Sequence, residues 1–195
     1  LRETVFRGCW VGVFVGPNPN LGNGNPLHPG RIEGCNFGAT TLLPPFSNHA
    51  FGWAGVHLDN VMGFTLGIAN GQMNNFERLQ HGLYAWKSNV NAVRNTFSNM
   101  QRGSVPVLPL GTGFGAGIRC INPGAAVQQS YSSTVGHPSA TSFQTLDGFA
   151  NKFVECPVGV RIEGKGVVSV RGNYFNANRT GISSVNQNLD RVWVD

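Results

Sequence analysis

The chain reads as an all-β protein, a solenoid of short stacked coils, on three observations. In six places a phenylalanine is followed by a glycine that opens a short strand; the clearest copies are Phe6–Gly12, Phe76–Gly82, Phe153–Gly159 and Phe175–Gly181. Asn74, Asn95, Asn151 and Asn173 each stand two residues before a Phe. After each Gly comes the same in-out-in alternation, with inward pairs Val13/Val15, Val56/Leu58, Leu83/Ala85, Ile118/Cys120, Val160/Ile162 and Ile182/Ser184. A unit this short cannot bury its apolar side alone, so neighbouring copies must stack.

Taken in order, the first coil opens at Thr4-x-Phe6 and continues through Gly12 into Val13/Val15. Residues 16–29, with Pro17, Pro19 and Pro26, form an insertion by composition. In the second coil Cys35 takes the place of the Asn before Phe37, and a second insertion at 39–53, carrying Pro44-Pro45, separates Phe37 from Gly55. The third coil is compact: Phe76 to Phe97 is 21 residues, enough for three short strands and three turns. Val90 and Ala92, seven and five residues before Phe97, supply the strand that leads into the next corner. In the fourth coil an insertion at 104–116 delays the strand at Gly117, and the Ser/Thr-rich stretch 128–142 reads as another. The fifth runs from Phe153 to Phe175 in 22 residues, with Val168 and Val170 as its inward pair before the corner. Residues 1–195 thus form a single unit of about six to seven coils, with insertions leaving at corners, where loops commonly build a binding face.

Composition fits. The 195 residues include 27 Gly and 13 Phe, with 12% charged, which suits tight turns around a packed interior and not disorder. No apolar stretch is long enough to cross a membrane as a helix. The net charge of +5 comes from scattered Arg without a basic run, so no nucleic-acid partner is expected. Cys9, Cys35, Cys120 and Cys156 form no C-x-x-C pair and read as four buried thiols, not as a disulfide framework or metal site. The five His lack metal-ligand spacing, and no cofactor is expected. Gly111-Thr-Gly113-Phe-Gly115-Ala-Gly117 lacks the following helix a nucleotide site needs. The chain starts almost inside a repeat and stops at Val192-Trp193-Val194, the opening of another strand. It therefore reads as part of a longer chain, or one with further coils or partner chains covering both ends.

The segments Asn151-Lys-Phe153…Gly159-Val-Arg-Ile162 and Asn173-Tyr-Phe175…Gly181-Ile182 resemble coils of the right-handed parallel β-helix, the pectate-lyase-like superfamily. The resemblance spans the chain and is specific for fold. It implies lyases, glycoside hydrolases, tailspikes or non-catalytic surface proteins, and the Asn- and Phe-rich coils look most like those of large secreted bacterial surface proteins. Stacked Asn side chains would hydrogen-bond along one corner and Phe would fill the interior, so the Asn column is expected to be structural.

The alternation gathers a second set of residues outward on the strand after each Gly: His57, Asp59, Tyr84, Trp86, Arg119, Arg161 and Glu163. Aromatics beside Arg and carboxylates suit a sugar ring and an acidic polysaccharide; ion pairs and rings also decorate ordinary exposed strands. Asp59 and Glu163 lie three coils apart, ~14 Å at ~4.8 Å per step, beyond the ~5–9.5 Å of a glycosidase pair. The expected function is a non-catalytic secreted or cell-surface module, structural or adhesive, contacting polysaccharide or other surface proteins. The alternative is a polysaccharide lyase whose site is completed outside this segment, with Tyr84 as base and His57 or Arg119 beside it. The calcium-binding carboxylate cluster of pectate-lyase relatives is not matched beyond Asp59, so no metal is expected.

Overall fold

The computed structural model describes residues 1–16, 30–38, 52–100, 115–122, 132–137, 148–164, 167–185 and 191–194. Every regular element among them is a strand, and the strands recur in threes. The first coil holds β1 (Val5–Arg7), β2 (Val11–Val15) and β3 (Arg31–Ile32); the second holds β4 (Asn36–Gly38), β5 (Gly52–Asp59) and β6 (Phe64–Leu66). In the third are β7 (Asn74–Glu77), β8 (Leu79–Trp86) and β9 (Val90–Ala92), and in the fourth β10 (Asn95–Ser98), β11 (Ala116–Asn122) and β12 (Ser132–Gly136). The fifth is β13 (Lys152–Val154), β14 (Val158–Gly164) and β15 (Val167–Arg171), and the sixth β16 (Tyr174–Asn176), β17 (Thr180–Val185) and β18 (Arg191–Val194). Each strand pairs in parallel with its counterparts one coil away, making three six-stranded sheets: β1-β4-β7-β10-β13-β16, β2-β5-β8-β11-β14-β17 and β3-β6-β9-β12-β15-β18. The described residues form a parallel β-helix of six coils.

The Phe–Gly repeat has a direct steric cause. Phe6, Phe37, Phe76, Phe97, Phe153 and Phe175 form one column, with successive ring centroids 4.8, 4.7, 4.9, 5.1 and 4.9 Å apart and planes within 14° of parallel. That spacing is the strand-to-strand distance of a sheet, so each ring rides on the ring one coil away. Each ring from Phe37 onward also covers the Gly of the preceding coil: a methyl group on Gly117 would lie 2.6 Å from Phe153 Cδ1 and 2.9 Å from the Gly159 oxygen. Only a residue without Cβ fits there. The corner two residues beyond the Phe is left-handed, with φ of 66° at Gly8, 55° at Arg78, 52° at Asn99 and 53° at Glu155 and Ala177; one such residue turns the chain from the first sheet into the second.

The Asn column is a ladder, buried at Asn74, Asn95 and Asn151 and half-buried at Asn173. Asn74 Nδ2 donates to Asn95 Oδ1 at 2.8 Å, Asn95 Nδ2 to Asn151 Oδ1 at 2.8 Å, and Asn151 Nδ2 to Asn173 Oδ1 at 2.9 Å. The same amides close the corner against backbone, as in Asn95 Nδ2 to the oxygens of Leu66 and Val93. The Cys35 N–H donates to Asn74 Oδ1 at 2.8 Å, so Cys35 starts the ladder without an amide of its own. Full satisfaction is what makes a buried amide column tolerable.

Two expectations need correction. Cys35, Cys120 and Cys156 are buried free thiols, but Cys9 is exposed. Cys156 Sγ lies 3.5 Å from the Phe97 oxygen of the preceding coil, whereas Cys9 occupies the same corner of the first coil and reaches only the Arg7 oxygen at 3.7 Å. The stretch 128–142 contains β12, with Ser133 and Val135 facing in. Its Ser133 hydroxyl accepts a hydrogen bond from the Val90 N–H, a polar contact that apolar alternation does not reveal. Gly52, Trp53 and Ala116 likewise belong to strands; residues 17–29, 39–51, 101–114, 123–131 and 138–147, which hold most of the expected insertions, lie outside the described residues.

Candidate functional site

The outer face of the β2–β17 sheet carries the outward residues in two rows fixed by strand register. One row runs Phe14, His57, Tyr84, Arg119, Arg161, Ser183; the other runs Asp59, Trp86, Ile121, Glu163, Val185. All seven sequence-predicted residues therefore share this face, but they divide into two groups.

The first group is aromatic. His57 touches Phe14, Trp53 and Tyr84 edge-on at 5.0, 5.0 and 5.1 Å between centroids, and Trp53 lies tilted on Tyr84 at 4.8 Å. Ala54, Tyr84 and Ile121 form a small apolar cluster outside the main core, with Trp53 and Trp86 packed on it. Phe14 is the most open of these rings. Burial lowers the His57 pKa, and the Asp59 charge only partly opposes this. Burial also raises the Tyr84 phenol; Arg119 pulls it down, while Glu163 and Asp59 push it up. Tyr84 is thus a protonated hydrogen-bond donor near neutral pH.

The second group is ionic. Arg119 grips Glu163 with Nε to Oε1 at 2.8 Å and Nη2 to Oε2 at 3.3 Å, and Arg161 Nε reaches the same Oε1 at 2.7 Å. Burial raises the Glu163 carboxyl, but the hydrogen bonds and charges of Arg119 and Arg161 outweigh it and hold the pKa below the usual value. The Arg119 side chain is 7% exposed and its guanidinium carbon lies 5.6 Å from the Tyr84 ring centre, joining the two groups. Asp59 is not brought to Glu163, since Trp86 and Ile121 stand between them in the row.

The sequence reading missed two residues here, His81 and Trp53. Gly82 and Leu83 both face the interior, one under Phe97 and the other in the core, so strict alternation breaks at the Gly and the residue before it faces out. His81 occupies that position. It is fully buried, packs against Trp53 and Tyr84 at 6.1 and 5.6 Å, and neither ring nitrogen has a hydrogen-bond partner among the described residues. Burial, together with the Arg119 and Arg161 charges, lowers its pKa to about 3. Trp53 was legible in principle: Trp10 and Trp53 both stand two residues before their Gly.

No group of three His, Cys, Asp or Glu among the described residues is placed to hold a metal, and no described helix is long and apolar enough to cross a membrane. Comparison with protein-family models, with curated proteins and with solved structures returned no match.

Proposed function

We propose that this chain is a non-catalytic, secreted or cell-surface β-helix module that holds glycan against the outer face of the β2–β17 sheet. The observation that carries the reading is the division of the face. Its guanidinium groups and its one paired carboxylate are engaged with one another, while a group of aromatic rings stands beside them on a flat, rigid support. Rings of this kind pack against the apolar faces of sugars. A lyase would need a free cation to neutralise the uronate, and here Arg119 and Arg161 are both engaged with Glu163. The resemblance of the coils to the pectate-lyase-like superfamily, and to bacterial surface proteins within it, fits a glycan-facing module without requiring turnover.

The test is a panel of acidic and neutral polysaccharides, scored for retention and for new unsaturated ends or reducing sugars. Retention without turnover is expected. Reproducible turnover that disappears in Tyr84→Phe or Arg119→Ala would overturn the non-catalytic reading, and no retention on any glycan would overturn the glycan contact.

A further inference from the structure

We infer that His81 is the point at which this face reads a neutral, hydroxyl-bearing sugar, with Trp53 as the ring on which that sugar packs. The inference rests on the glycan-binding reading and narrows it to one residue and one class of ligand.

Three observations carry it. First, His81 is 0% exposed, yet both Nδ1 and Nε2 lack partners among the described residues. A buried polar group without a hydrogen bond is destabilising, and native structures keep few of them. Second, it is out of place in its own row. The register places Val11, Ala54, Ala116, Val158 and Thr180 at the same position in the other five coils, so four of five are apolar and none is ionisable. An apolar residue would satisfy the fold at this position. Third, the surroundings suit a ring-shaped polyol. Trp53 contacts His81, His57 and Tyr84 together and is itself partly exposed, so a shift of its indole is the movement that would bring a ligand to the imidazole.

Chemistry selects the ligand class. A neutral imidazole offers one N–H donor and one acceptor nitrogen. Burial and the neighbouring arginines keep this one neutral. A hydroxyl donates and accepts, so sugar hydroxyls satisfy both nitrogens, whereas a carboxylate or sulfate satisfies only the donor. The two arginines that would attract a uronate already hold Glu163 between them. Neutral sugar is therefore favoured over acidic.

The experiment compares wild type, His81→Leu, His81→Gln and Trp53→Ala on immobilised galactomannan, dextran and polygalacturonate, with titration calorimetry on oligosaccharides from the retained polymer and thermal melts of each protein. Wild type is expected to bind a neutral polymer in preference to polygalacturonate. His81→Leu should weaken binding about tenfold or more, the loss of one to two hydrogen bonds, at an unchanged or higher melting temperature. His81→Gln, which keeps a donor and an acceptor, should retain part of the affinity, and Trp53→Ala should lose it. Wild-type affinity in His81→Leu, or equal loss in the leucine and glutamine variants, would overturn the role of His81 and leave the glycan-binding reading standing. Preference for polygalacturonate would overturn the neutral class. Failure of wild type to bind any of the polymers would overturn this inference, and failure on the wider panel as well would overturn glycan binding itself.

Discussion

Replacing His81 with leucine separates a buried, unpartnered imidazole from an ordinary packed one through the pH dependence of folding. In the unfolded chain the imidazole takes a proton near its ordinary 6.5, while in the folded protein it resists until about pH 3. Between those values the unfolded state binds more protons, so stability is full above pH 6.5 and falls as the pH is lowered. Integrating one proton from pH 7 to 4.5 gives a loss of about 2.5 kcal/mol, with a limiting slope of about 1.4 kcal/mol per pH unit. His81→Leu should abolish this component. It should also raise stability at pH 7 by about 1–2 kcal/mol, because an unsatisfied polar group is replaced by an apolar one of similar size. Urea denaturation followed by tryptophan fluorescence at pH 7 and 4.5 measures both effects. The contributions of His57 and Glu163 are common to the two proteins and cancel in the difference. If the variant loses as much stability as wild type between these pH values, the imidazole is not buried and neutral as described, and the reasoning fails with it.

Three further perturbations test the packing columns and the ion cluster. Gly117→Ala places a methyl group 2.6 Å from the Phe153 ring and 2.9 Å from a backbone oxygen, and should destabilise by about 3 kcal/mol; Gly181→Ala, whose nearest neighbour is 3.6 Å away, should cost less than about 1 kcal/mol, so equal effects in chemical denaturation would refute the ring-over-glycine account. Asn95→Ala breaks a buried amide that bonds Asn74, Asn151 and two backbone oxygens, and should cost about 3 kcal/mol or more, against about 0.5 kcal/mol for Asn75→Ala in the exposed Asn36–Asn75 pair. Glu163→Gln leaves the buried Arg119 without its counter-charge and should cost about 2 kcal/mol at pH 7. Because the Glu163 carboxyl titrates below its usual value, the stability it contributes is present above about pH 4.5 and is lost as the pH falls through the lowered pKa. The wild-type and Glu163→Gln stability curves should therefore converge in acid.

The interior was legible because its requirements repeat. Phe97 and Phe153 recur at the same phase since one ring must seat on the next, and Asn95 and Asn151 recur because each amide needs another amide one coil away. The two outward rows followed from the same phase, down to the register that sets His57 beside Tyr84 and Arg119 beside Arg161. Three features were not legible. Strand β12 was hidden because Ser133 faces inward for a hydrogen bond to the Val90 N–H instead of for apolar burial. The exposure of Cys9 depends on its place in the first coil, which composition does not encode. The position of His81 depends on two successive inward residues at the Gly, a break in alternation that only the stacked Phe rings explain.

That break links packing to function. In the first five coils a Phe ring of the next coil lies over the Gly and draws it inward, the next residue stays in the core, and the residue before the Gly is turned to the outer face. Four of these coils answer this with Val or Ala; the third answers with His81. Elsewhere among the described residues Asn122 Oδ1 and Ser169 Oγ are also buried without a partner, but the Asn ladder is closed, Ser88 and Ser133 accept backbone hydrogen bonds, and Glu163 is held by two arginines. A scaffold whose ladder and ion cluster are satisfied tolerates a destabilising residue with little effect on its fold, and such residues in native proteins concentrate where a ligand supplies the missing contacts. The same stacking that makes the β-helix rigid thus fixes the imidazole against Tyr84 and Trp53, and a rigid placement is what lets two unpartnered nitrogens select a ligand by hydrogen-bond geometry.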